Sequence, residues 1–339
     1  MVRDLTAKEK DLLYRAETRP ELRPFVFRKI KGLHWFHPLR EKGFLCPENN
    51  PKPIPAKEEG YVSIPAWPVV DYLVATSEDL SVPANRDFAC QFLELIRDVT
   101  TYAQTHDFGN HWTWLQLAKI IKRIPIDLIS IEDIALVDYW LDDPYYPRNL
   151  IADELGENWL YELLESQDER SSAIALRLLE AIYRVRVDKD RREASLRCDP
   201  WHAMKITRKA ATLSGRRIGL DAVSLFEGNL ASVLEATERD RYTYVWRKAI
   251  EDHDYDRRKE DVYDVLIAAY RDSVLGFVER SPNEAPGRPE ESHLQSPTDP
   301  DMNLSIHPAR ASLTREASWL HADTEGIGSS HCWLTHSHL

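Results

Sequence analysis

The chain has 339 residues, 43% of them hydrophobic, enough to bury a large core or a continuous stack of helices. A formal net charge of −12 opposes whole-surface binding to nucleic acid or anionic membrane, although a local basic patch can still grip either. Four scattered cysteines without a CxxC pair argue against a disulfide framework and a structural zinc site, and 12 glycines are few for a fold built on Gly-rich nucleotide-binding turns.

The opening MVRDLTAKEKDLLYRA is charged from its third residue and has no apolar secretory core. No apolar run of about 18 residues occurs, so no membrane span is expected. These features point to a soluble cytoplasmic protein. Residues 4–31 predict two short helices broken at Pro20, with Leu5, Leu12 and Leu13 on one face and Pro24 in the first turn of the second. Residues 32–68 carry seven prolines, whose fixed φ forbids a long helix or a central strand. One or two helical turns are expected around Trp35–Lys42, ending at a left-handed Gly43, then polyproline II over Pro47–Pro55.

From Ala66 the 3.6-residue pattern predicts helices at 66–78, 84–104, 111–124, across 125–167 in short pieces, and at 169–188. Further helices are predicted at 200–214, 219–237, 239–252 and 258–279. No strand-like alternation is long enough to build a sheet. Residues 281–339 are rich in Pro, Ser and acid and predict a disordered tail. The fold class is therefore all-α, an irregular α-solenoid or helical-repeat array with an irregular bundle as the competing form. The chain divides into N-terminal helices and a Pro-rich extended connector (1–65), a helical-repeat domain (66–280) and the tail (281–339).

Within the connector stand Trp35, Pro38, Leu39, Gly43, Phe44, Pro47, Glu48, Asn49 and Pro51, then Gly60, Ile64, Pro65, Trp67, Tyr72 and Leu73. This pattern resembles a segment near the start of HEAT- or armadillo-like helical-repeat regions in large bacterial multidomain proteins, including ones linked to anti-phage defence. The resemblance spans residues 25–200. It implies a repeat scaffold that belongs to such an assembly, and no effector or ATPase module accompanies it here.

Candidate chemistry is sparse. The sequence contains no GxxxxGK[ST], HExxH, GxSxG or GxGxxG pattern. His34 with His37, and His106 with His111, lack the further ligands zinc needs, so no metal or other cofactor is expected. Asp138 and Asp142 share a helical face, but as acids at a helix end they read as solvated rather than catalytic. Aromatic residues nominate a protein-partner surface at Trp35, Phe36, Trp67, Tyr145 and Tyr146. A basic stretch, Arg184, Arg186, Arg191, Arg192, Lys205, Arg208, Lys209, Arg216 and Arg217, nominates nucleic acid as the alternative partner, interrupted by Asp188, Asp190, Glu193 and Asp199. The primary expectation is a non-enzymatic scaffold for a protein partner; a hydrolase with an unfamiliar site is the third reading.

Overall fold

The computed structural model describes residues 3–56, 62–142, 148–188, 190–237 and 261–280. Thr6 starts the first helix by local chemistry. Its hydroxyl accepts from the Glu9 amide, and the Glu9 carboxylate accepts from the Thr6 amide at 2.8 Å, a reciprocal cap that opens α1 (Ala7–Thr18). Leu13 and Ala16 bury its inner face. The chain breaks at Pro20 into a short 3-10 turn, and α2 (Arg23–Lys29) carries Pro24 in its first turn, where a missing N–H is harmless.

The connector follows the sequence expectation at first and then departs from it. Helix α3 (Phe36–Glu41) ends at Gly43, whose φ of 74° is a left-handed conformation open to glycine. The Gly43 amide then donates to Arg40 O, and the Phe44 amide to Leu39 O, both at 3.0 Å, closing the helix end. Polyproline II does not extend over Pro47–Pro55. Pro47–Asn49 winds into a 3-10 turn, and β1 (Ile54–Pro55) pairs antiparallel with β2 (Val62–Ser63).

Helices then follow as α4 (Val70–Ser77), α5 (Arg86–Thr105), α6 (His111–Ile121) and α7 (Ile131–Leu141). Next, α8 (Arg148–Asp153) runs through a π-helical stretch, Glu154–Trp159, into α9 (Leu160–Glu165). After α10 (Glu169–Ile182) come α11 (Pro200–Arg217), α12 (Leu220–Thr237) and α13 (Val262–Arg280). The expected helix at 239–252 and the expected disorder of 281–339 fall outside the described residues.

The expected helix at 169–188 stops six residues early. Tyr183 caps it, fully buried, with its hydroxyl 2.8 Å from Thr207 Oγ1. The chain then turns into β3 (Val185–Asp188), paired antiparallel with β4 (Glu193–Leu196). β-Branched Val185 and Val187 suit the extended form, and the Asp188 carboxylate accepts the Asp190 and Arg191 amides at 3.1 Å, stabilising the reversal. The absence of any sheet from the sequence reading is thus corrected to two small ribbons within a mainly α-helical chain.

The helices pack in two chains of neighbours. One runs α2–α4–α6–α8 and on to α11; the other runs α5–α7–α10–α12. Cross-contacts α5–α6, α7–α8, α9–α10 and α11–α12 join the two. Several neighbours are parallel. Arg97 meets Asp133 and Thr100 meets Trp140, which aligns α5 with α7. Arg170 reaches Ile129 O while Arg177 reaches Asp138, aligning α7 with α10. Between the layers, Trp114 stacks on Trp140 at 6.2 Å, and the Trp140 indole donates to Thr100 Oγ1 at 3.0 Å.

At α11 and α13 the approach is backbone to backbone. A Cβ at Gly215 would lie 1.8 Å from Ser273 O, and one at Gly276 would lie 1.9 Å from Thr212 O, so only glycine fits either position. The described residues up to Phe277 form one compact unit, whose boundary falls inside α13. Among the described residues no helix is long and apolar enough to cross a membrane.

Candidate functional site

Three aromatics nominated for a partner surface are core residues instead. Trp35 is 2% exposed, Phe36 1% and Trp67 2%. Phe36 stacks on Phe92 at 4.9 Å and meets Phe88 edge-on at 6.0 Å, tying the connector to α5. An aromatic ring removed from water in the folded chain cannot be offered to a partner. Tyr145 and Tyr146 lie outside the described residues.

The basic stretch divides into separate groups, and much of its charge meets acids of the same chain. Arg184 lies 3.0 Å from Asp138 and Arg186 lies 2.6 Å from Asp142, on the ribbon side of α7. Arg191 and Arg192 sit at the β3–β4 turn, where Arg191 faces Asp188 at 3.7 Å and Arg192 adopts a φ of 55°. Lys205 and Lys209, one turn apart on α11, both contact Glu157 of the π-helical stretch, Lys209 at 3.3 Å. Arg208 and Arg216 are exposed on α11, and Arg217 reaches Gln167 at 3.2 Å. A continuous phosphate-binding stripe over 184–217 is therefore not assembled.

Asp142, the exposed C-cap of α7, sits at the helix end as expected, but Asp138 does not sit as a solvated helix-end acid. Asp138 receives the guanidiniums of Arg177, Arg184 and Arg197, drawn from α10, the start of the ribbon and the loop before α11. Arg197 is 1% exposed and also contacts Asp142 at 3.1 Å and Ala181 O at 2.9 Å. Burial pushes the Asp138 carboxyl up, but the arginines outweigh it and hold the group below its usual range. Such an acid stays ionised and fully occupied, which suits a clasp and not proton transfer.

The most chemically varied cluster was not visible in the sequence. Residue 149 meets residue 199 where the Asp199 amide donates to Asn149 Oδ1 at 2.9 Å, so α8–α9 and α11 lie side by side and parallel. That register places Asp153 Oδ2 2.7 Å from His202 Nδ1, and Glu157 between Lys205 and Lys209. Lys122 from α6 pairs with Glu154 beside them. Burial raises the Glu157 carboxyl and its two lysines more than reverse this, leaving it below its usual range. The π-helical stretch holds Glu157 against α11, and such stretches recur at functional positions.

An acid that orients a histidine is half of a nucleophilic site. The nearby thiol does not complete it. Cys198 is buried, donates toward Ile182 O at 3.7 Å, and burial pushes its thiol up to about 12. Among the described residues no group of three or more His, Cys, Asp or Glu is gathered to hold a metal ion. His34 instead faces Glu9 at 3.1 Å and Arg3 at 2.9 Å.

Exposed apolar side chains mark the same helix ends. Trp201, the second residue of α11, is 57% exposed, with the Lys205 amine 5.5 Å from its ring. Leu150 near the start of α8, Trp112 near the start of α6 and Phe25 near the start of α2 are also exposed. The one local signal for Trp201 was its place after Asp199 and Pro200, a cap and first-turn proline that put it at a helix start. No family model matches the chain, and no characterised protein or solved structure matches it either.

Proposed function

We propose that the chain is a non-enzymatic helical scaffold, an irregular solenoid that binds a protein partner. The packing of parallel helices onto their chain neighbours supports this reading most directly. Stacked layers of this kind present long surfaces and helix-end edges, which serve recognition better than a closed reaction chamber. Exposed Phe25, Trp112, Leu150 and Trp201, on α2, α6, α8 and α11, add apolar contact points of the kind that anchor interfaces.

Two other readings have less support. Nucleic-acid binding through 184–217 loses charge to Asp138, Asp142 and Glu157. A hydrolase needs a nucleophile beside the Asp153–His202 pair, and the Cys198 thiol is buried and held protonated. Membership of a bacterial defence assembly rests on the resemblance of the Trp35–Leu73 pattern, and a cytoplasmic location on the scattered free cysteines.

The test is affinity purification of the full chain from its native cells, with and without nuclease, followed by mass spectrometry. A reproducible protein partner that resists nuclease supports the scaffold. Partners lost with nuclease move the assignment to nucleic acid, and no partner in either arm removes the scaffold reading.

A further inference from the structure

A cleft of about 440 Å³ opens where the start of α7 meets the first turns of α10. That volume is in the range of sites that hold a side chain or a small ligand. Ile129 and Ile174, 0% and 1% exposed, form its floor. Ile131, 49% exposed, and Ala173 stand at the mouth, so the walls are mostly apolar. Its two charged lining residues, Arg170 and Glu132, are both exposed.

Arg170 is held in one orientation. Its Nε–H and one Nη2–H both donate to Ile129 O, at 3.0 and 2.7 Å. A guanidinium has five N–H groups, so the terminal edge keeps a donor on each Nη atom, the fork that matches a carboxylate. Among the described residues Arg170 has no ion-pair partner, whereas Arg97, Arg177, Arg184, Arg186 and Arg197 are all matched to acids. Acids on the neighbouring turns are engaged elsewhere. Asp127 pairs with Arg86, Asp133 pairs with Arg97, and Asp168 caps α10. Glu132 bonds its own amide and the Ser130 hydroxyl, which hold its carboxyl below the usual range.

We infer that this cleft captures the carboxyl terminus of a partner protein whose last residue is aliphatic. The inference rests on the scaffold reading and names the end of the partner that the scaffold holds. The occupant is argued from charge complementarity. A C-terminal residue carries a carboxylate and an apolar side chain on one Cα, and the cleft sets one unneutralised guanidinium among isoleucines. The Glu132 carboxylate repels a second acid, which disfavours an acid-rich internal segment, and it can accept a main-chain N–H of the incoming chain. Fixing Arg170 before binding lowers the ordering cost of the complex.

The experiment pans a library of peptides with free C-termini on the full-length protein. Enrichment of Val, Ile or Leu at the last position is expected. The best peptide, remade as its C-terminal amide, should bind about 10-fold more weakly or worse, because a charge-assisted pair is lost. Arg170→Gln should weaken the acid form by a similar factor and leave the amide form nearly unchanged, the non-additivity of groups in contact. Ile131→Ala, at an exposed position, should weaken both forms, and an unchanged thermal midpoint verifies that each variant folds. Arg170 also holds Ile129 O, so if Arg170→Gln fails to fold, the acid–amide comparison and Ile131→Ala decide the outcome. Equal binding of acid and amide, enrichment of internal Asp or Glu in place of an aliphatic terminus, or no enrichment at all overturns the proposal. If native cells yield a protein partner whose capture is unaffected by Ile131→Ala and by excess selected peptide, this cleft fails and the scaffold reading stands.

Discussion

Arg197 is a guanidinium almost wholly removed from water, and its surroundings explain how that is tolerated. Desolvating an ion costs several kcal/mol, about as much as a well-built pair returns, so the net contribution of the clasp is small. Removing one partner is different, because it leaves the other charge buried alone. Asp138→Ala is expected to destabilise the fold by about 3–5 kcal/mol in urea or guanidinium titration. Replacing Asp138 with Leu and Arg197 with Met together should cost less than the sum of the two single changes. The carboxylates also set acid sensitivity. For Asp133, burial acts upward, and the bidentate Arg97 at 2.5 and 2.9 Å with the Ser130 cap more than offset it. Asp133 and Asp138 thus both have folded pKa values below the unfolded value of about 3.9. A depressed folded pKa contributes stability that is complete above the unfolded pKa and lost as pH falls through the folded one. Stability should therefore drop below about pH 4, and Asp138→Asn should flatten that drop in a pH series of urea midpoints.

At the scale of elements, the glycines of the last helices separate two opposite expectations. Gly215 has the carbonyl of Ser273 where its Cβ would stand, so Gly215→Ala must push α11 and α13 apart. The cost is about 1–3 kcal/mol or more, as for other overpacked contacts, and thermal unfolding measures it. Gly228, on the exposed side of α12, has nothing within 4 Å of the same point. Gly228→Ala should stabilise by about 0.5–1 kcal/mol, because alanine loses less backbone freedom in a helix. A Gly228→Ala variant that is less stable than wild type would show that the α12 register is wrong. The β3–β4 ribbon shows another element-level choice. Residues 183–188 have the apolar spacing of a continuing helix, yet burial of the Tyr183 ring against Phe226 and the pull of Asp138 and Asp142 on Arg184 and Arg186 favour the extended form.

For the whole molecule, packing between chain neighbours implies uneven cooperativity. Helices that contact only those near them in sequence transmit a local defect over a short range. In hydrogen exchange of the full chain, Gly215→Ala should speed exchange in α11 and α13 strongly and in α2 and α4 little. Uniform acceleration would instead indicate a single cooperative core across residues 3–280.

Much of the helical layout was legible because it depends on local chemistry. The Thr6–Glu9 cap, the break at Pro20, the left-handed Gly43 and the spacing of Phe92, Ile96 and Val99 act within a few residues of each other. The candidate site was not legible, for the opposite reason. Asp153 with His202, and Glu157 with Lys205, are nearly 50 residues apart and meet only because α8–α9 lies parallel to α11. Residue type alone cannot separate an aromatic that fills a core from one that faces solvent. Trp35 and Trp67 are buried and Trp201 is exposed, although all three stand near helix starts. By itself the sequence determined several helix starts and stops, at Thr6, Pro20 and Gly43 for example, because capping and turn conformation are local energies; the end of α10 was decided by packing. The tertiary structure alone decided which charges are neutralised and which rings are left in water, because desolvation and ion pairing depend on neighbours brought together by packing.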